Sequence, residues 1–193
     1  MLDNLKKYKI ILASHSPRRR ELLAGLDIDY TVRVPEGVDE SYPPGMAAHD
    51  IPLYIAREKA AASRAFMSAD ELVITADTVV LIDGRVLGKP ADEAEARDML
   101  RTLSGRTHHV VTGVCLTTAA RQSAFDVDTA VTFKTLTEEE IDYYVPRYRP
   151  LDKAGAYGVQ EWIGYVAVTA LQGSFYNVMG LPVQRIYDEL RTF

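Results

Sequence analysis

A run of four apolar residues, Ile10-Ile11-Leu12-Ala13, leads straight into Ser14-His15-Ser16-Pro17-Arg18-Arg19-Arg20, and this junction constrains the fold more than any other stretch of the chain. A short apolar run bounded by turn residues reads as a buried strand, here over residues 8–13. Ser16-Pro17 then supplies a hydroxyl cap and a proline for a helical first turn, so a helix opens at once. A buried strand handing over directly to a helix is a building block of α/β folds.

The rest of the chain keeps alternating. Leu53, Ala56, Ala60 and Ser63 repeat at helical spacing within residues 51–67. Residues 72–76 read as a second buried strand ending at Asp77-Thr78, and residues 79–87 as a hairpin turning at Asp83-Gly84. A helix over residues 92–103 puts Ala96, Met99, Leu100 and Leu103 on one face and stops at Ser104-Gly105. Residues 108–118 and 123–133, rich in Val and Thr, predict two antiparallel strands. Thr137 and Glu140 form a capping box for a helix running to about residue 145, where Pro146 stops it. Glycine- and aromatic-rich residues 151–182 read as strand and loop, and Val183–Arg191 as a closing helix.

Charge and composition exclude several classes. The net charge of −5 argues against a nucleic-acid or anionic-membrane binder. It is uneven, because residues 1–20 hold Lys6, Lys7, Lys9, Arg18, Arg19 and Arg20 against Asp3 alone, a local +5 in a chain whose remainder carries −10. A single cysteine, Cys115, excludes an intramolecular disulfide and a cysteine-rich zinc module, and reads as a small buried apolar residue. No apolar run reaches signal-peptide or membrane-span length, so the expected location is the cytoplasm. There are no repeats or low-complexity tracts, and the length suits one domain or two closely joined lobes.

Three arginines in the first turn of a helix oppose its macrodipole, a penalty that a bound anion reverses. Together with Ser14, Ser16 and the free amides of a helix start, Arg18 and Arg19 outline a phosphate site without a P-loop. Asp77 ends an apolar strand, where α/β sheets place ligands, and its carboxylate suits either a divalent cation or proton abstraction from water. Asp39-Glu40 offers further oxygen ligands. Lys59 borders an apolar helix face, and Lys89 is presented by Gly88-Lys89-Pro90. His108 and His109, adjacent on a strand, point to opposite faces and do not share a metal. Gly-x-x-x-x-Gly-Lys-Ser/Thr and Gly-x-Gly-x-x-Gly are both absent. Acids, cations and no nucleophilic cysteine point to phosphoryl chemistry by water with a divalent metal.

In order along the chain stand Ala13-Ser14-x-Ser16-Pro17-Arg18-Arg19-x-Glu21-Leu22-Leu23, Val38-Asp39-Glu40, Ala56-x-x-Lys59-Ala60, Ala76-Asp77-Thr78-Val79-Val80, Gly88-Lys89-Pro90, Leu103-Ser104-Gly105-Arg106-Thr107-His108, Thr112-Gly113-Val114, Asp152-Lys153-Ala154-Gly155-Ala156-Tyr157-Gly158-Val159-Gln160 and Gly173-Ser174-Phe175-Tyr176-Asn177-Val178-Met179-Gly180-Leu181-Pro182. This series resembles the Maf-like nucleoside triphosphate pyrophosphatases over nearly the whole chain. The resemblance implies one Maf-like domain over residues 1–193, with a central mixed sheet and a cleft between two lobes, similar to the inosine triphosphate pyrophosphatases. It further implies hydrolysis of a nucleoside triphosphate between the α- and β-phosphates with Mg²⁺ or Mn²⁺.

By the same resemblance Asp77 is the base and a metal ligand with Glu40, while Ser14, Ser16, Arg18, Arg19, Lys59 and Lys89 hold the triphosphate. Arg18, Thr78 and Gln160 match the branch that prefers dTTP and UTP. A Gln160 amide both donates and accepts, which suits the imide edge of uracil or thymine. The chain departs from the pattern at His15, usually a small residue, and at Glu161-Trp162, where a glycine is common. The family association also suggests a homodimer, a house-cleaning role toward modified pyrimidine triphosphates and, as the rival class, a nucleotide-binding regulator of septum formation with little turnover.

Overall fold

The computed structural model describes residues 2–193. Among them, strands β1 (Lys9–Leu12), β2 (Tyr30–Val32), β3 (Glu71–Ile82), β4 (Arg85–Leu87), β5 (Thr107–Thr117), β6 (Gln122–Phe133) and β7 (Val168–Gln172) form one sheet. Their order is β2-β1-β3-β5-β6-β7, with β4 paired to β3 off that path. β1 runs parallel to β2 and β3, whereas β4 is antiparallel to β3 and β7 to β6, so the sheet is mixed. Helices α1 (Pro17–Ala24), α2 (Ile51–Ser63), α3 (Glu93–Leu103), α4 (Glu138–Tyr148), α5 (Trp162–Ala167), α6 (Phe175–Met179) and α7 (Val183–Arg191) complete an α/β fold.

The chain divides into two compact units. The first holds residues up to Asp77, Thr112–Val127 and Gly180–Phe193. The parallel β1–β3 pairing puts Ile11, Ala13 and Val73 in a small core that Met67 covers. α2 lies against β5, where Ala56 and Ala60 pack with Cys115. The approach is close because Gly113 presents no side chain: a Cβ there would stand 2.3 Å from both Cα and N of Leu53. The second unit holds Thr78–Val111 and Asp128–Met179. Its core joins Leu100 and Leu103 of α3, Ile141 and Tyr144 of α4, Phe133 of β6, and Ile163 of α5.

Local signals act where the sequence places them. Ser16 caps α1 with Pro17 in its first turn, Asp92 caps α3, and Thr137 and Glu140 make the reciprocal capping box of α4. Asp83 and Gly84, both at positive φ, turn β3 into β4. Three expectations are corrected. The strand expected to end at Asp77-Thr78 continues to Ile82, because β3 gains an antiparallel partner in β4 after its parallel stretch with β1. Pro146 lies inside α4 rather than ending it, and the stop comes at Arg149, in left-handed conformation. Residues 151–182 contain α5 and α6 as well as β7.

Candidate functional site

The first unit assembles its charged cluster from three segments. In β3, Thr75 and Asp77 share a face, since side chains alternate along a strand. On α2, Ala56 and Lys59 lie three apart and therefore also share a face. The buried Thr75 hydroxyl donates to the Ala56 carbonyl at 2.7 Å, fixing helix against strand so that Lys59 meets Asp77. The Lys59 ammonium donates to Asp77 Oδ1 at 2.8 Å. It also lies 2.8 Å from Oε1 of Glu40, which the loop after β2 brings in. The Lys59 and Asp77 side chains are only 13% and 15% exposed, whereas that of Glu40 is 52% exposed. A poorly solvated ion pair is therefore open to solvent through Glu40.

The turn before α1 is ordered by its own hydroxyls. Ser14, buried, accepts from the Ser16 amide at 3.2 Å, and Ser16 accepts from the Arg19 amide at 3.4 Å. Arg19 reaches backbone instead of standing open: Nε donates to the Gly180 carbonyl at 2.8 Å and Nη1 to the Ala76 carbonyl at 2.9 Å. It thus grips the peptide immediately before Asp77. Burial is the largest influence on this guanidinium and pulls its pKa down, while Asp77 pulls it back up. Arg18 is half-buried in the same turn.

Asp77 and Glu40 each place an oxygen 2.8 Å from one ammonium, so the two oxygens lie within twice that distance of each other. Among the described residues no three His, Cys, Asp or Glu side chains cluster to hold a metal ion by themselves. Two convergent carboxylates still suit Mg²⁺, which commonly takes one or two protein carboxylates and completes its shell with substrate phosphates and water.

Ser14, Ser16, Arg18, Arg19, Glu40, Lys59 and Asp77 therefore fall in the first unit, and Thr78, Lys89 and Gln160 in the second. Within the second unit, Lys89 is exposed in the loop after β4, and Gln160 is half-buried with an Oε1 that has no hydrogen-bond partner. His108 is buried, pairs its Nε2 with the Tyr157 hydroxyl at 2.7 Å, and has its pKa pushed down to about 4 by burial. His109 instead meets Asp128 on the exposed side, as the strand alternation requires. Lys6 and Lys9 form exposed ion pairs with Asp3 and Asp70.

A family model described as Maf-like protein matches residues 9–193. The chain belongs to the Maf-like family. It is 61% identical over 191 residues to a dTTP/UTP pyrophosphatase of Phocaeicola vulgatus, covering 99% of each chain. It is 59% identical to one of Porphyromonas gingivalis, covering 100% of this chain and 98% of the relative. Among solved structures it resembles a HAM1 protein from Coxiella burnetii, with TM-score 0.51 and 17% identity over 96% of this chain and 100% of the other, a likeness of fold alone. No helix among the described residues is long and apolar enough to cross a membrane.

Sequence reasoning passed over three charged or polar residues that the second unit brings together, Tyr144 and Lys153 buried and Glu161 half-buried. Tyr144 donates to Glu161, and Lys153 lies 3.1 Å from the same carboxylate. The available signals were a lysine within Asp152-Lys153-Ala154 and an acid, Glu161, directly after Gln160.

Proposed function

We propose that this chain is a nucleoside triphosphate pyrophosphatase that hydrolyses dTTP and UTP to the monophosphate and pyrophosphate. The observation that carries the reading is the Asp77 carboxylate held 2.8 Å from the Lys59 ammonium, with Glu40 on the same nitrogen. Relatives near 60% identity over almost the whole chain, named dTTP/UTP pyrophosphatases, support the substrate.

In the reaction, water attacks the α-phosphorus and forms a new P–O bond. Asp77 takes the water proton, the bond from the α-phosphorus to the bridging oxygen breaks, and pyrophosphate leaves with that electron pair. Lys59 balances charge building on the phosphates, and the Ser14-to-Ser16 turn with Arg18 receives them. Arg19 keeps the Ala76 peptide, and with it Asp77, in place. Asp77 and Glu40 would hold a divalent cation, Mg²⁺ or Mn²⁺, which when bound neutralises phosphate charge. The assignments of Lys89 to phosphate and of Thr78 and Gln160 to the base side rest on the motif match.

Purified protein with Mg²⁺ or Mn²⁺ and a panel of normal and modified triphosphates, with pyrophosphate and monophosphate measured separately, tests the reading. We expect equimolar products from dTTP and UTP. Asp77→Asn should lose turnover by roughly 10²-fold or more while still binding nucleotide. Release of orthophosphate, or near-normal activity in Asp77→Asn, contradicts the assignment. Light scattering tests the homodimer expected of the family.

A further inference from the structure

Glu161 occupies the N-cap position of α5, and its side chain makes no cap bond. Its carboxylate instead turns inward. One oxygen accepts from the hydroxyl of Tyr144, which is fully buried, and the other lies 3.1 Å from the Lys153 ammonium, whose side chain is 10% exposed. The same tyrosine oxygen accepts from the Gly158 amide at 3.1 Å. Since the Glu161 amide donates to the Gly158 carbonyl at 3.0 Å, the turn Gly158–Val159–Gln160–Glu161 is closed by its backbone and locked by Tyr144 and Lys153.

The lock bears on Gln160 directly. A Cβ at Gly158 would stand 2.9 Å from Glu161 Cδ and 3.1 Å from Gln160 Nε2, so carboxylate and amide pack over the same bare glycine. The other end of that amide, Oε1, is buried without a hydrogen-bond partner. A buried acceptor without a partner is costly, and a donor brought to it recovers that cost. The N3–H of uracil or thymine is a donor, whereas the N3 of cytosine is an acceptor.

We propose that Glu161, through its lock with Tyr144 and Lys153, is a positioning residue that aims the Gln160 amide at the base and sets the preference for an imide pyrimidine over cytosine. The inference rests on the dTTP/UTP reading above. Nothing in it requires Glu161 to touch substrate. It acts by holding the turn that carries Gln160.

Steady-state hydrolysis of UTP and CTP by wild type, Glu161→Gln and Tyr144→Phe, with each protein's thermal midpoint, tests it. Glu161→Gln keeps the shape and removes one of the two carboxylate charges beside Lys153, leaving Asp152 at 2.7 Å. We expect KM for UTP to rise roughly tenfold with kcat within about twofold and CTP unaffected, so that the UTP to CTP ratio of kcat/KM falls roughly tenfold. Tyr144→Phe should shift the ratio the same way, and carries the test if Glu161→Gln does not fold. A lower midpoint with an unchanged ratio, or an equal loss of kcat on both nucleotides, overturns the inference by making Glu161 merely structural. If wild type prefers UTP and neither variant changes that preference, this inference alone fails. If wild type cleaves no UTP, the proposed function fails and takes this inference with it.

Discussion

Gly113→Ala puts the packing of α2 under direct strain. The added Cβ would sit 2.3 Å from Leu53 Cα and N and 2.5 Å from the Pro52 carbonyl carbon, all backbone atoms that cannot rotate away. Ordinary carbon contacts begin near ~3.5 Å, so helix and strand must part by about 1 Å. Overpacking of a core costs about 1–3 kcal/mol, occasionally more, and a clash with backbone belongs at about 3 kcal/mol. At ~2–4 °C per kcal/mol for a chain of this size, the melting temperature should fall by about 6–12 °C. The same displacement carries Lys59, six residues along α2, away from Asp77. A misplacement of about 1 Å can lower turnover by roughly 10²-fold. Thermal and urea denaturation measure the first effect, and UTP hydrolysis at a temperature where the variant is folded measures the second. A variant within about 2 °C and about twofold of wild type would refute both steps.

Two further outcomes follow from buried groups. His108 is held near a pKa of about 4 against an ordinary 6.5, so between those values the unfolded chain binds a proton that the folded chain refuses, and stability falls as pH drops. Between pH 6.5 and 4, wild type should lose roughly 3 kcal/mol more than His108→Leu, whatever their difference at neutral pH, and parallel pH curves would contradict this. Cys115 is buried with its thiol pushed up to about 11, so iodoacetamide at neutral pH should leave the native protein unmodified and label it only after denaturation. Rapid native labelling would place the thiol elsewhere.

What the sequence made legible was mostly local. Ser16-Pro17, Asp92 and the Thr137–Glu140 box act within a few residues, and α7 matches its expected span because its apolar positions repeat at helical period. Asp77-Thr78 looks like a strand end because Asp is a poor strand former, but pairing with β4 carries β3 past it, and no local signal reports a partner strand. Pro146 sits in the last turn of α4, close to where that helix ends in any case. α5 is only six residues long and offers Trp, Ile, Tyr and Val, a composition that favours strand reading.

The candidate site divides along the same line. Asp77, Lys59 and Glu40 were legible as charges in motifs, and their convergence follows from Thr75 bonding Ala56, a contact across 19 residues. Arg19 carried a phosphate assignment from its type, while two of its donors serve the Ala76 and Gly180 carbonyls. Tyr144, Lys153 and Glu161 went unassigned because nothing in their spacing announces a shared buried network.

The central claim is water attack at the α-phosphorus, and hydrolysis of UTP in ¹⁸O-labelled water tests it most directly. Mass spectrometry of the products should find one solvent oxygen in the monophosphate and none in the pyrophosphate, with the reaction abolished in Asp77→Asn. Label in the pyrophosphate would place the attack on the β-phosphorus and contradict the account.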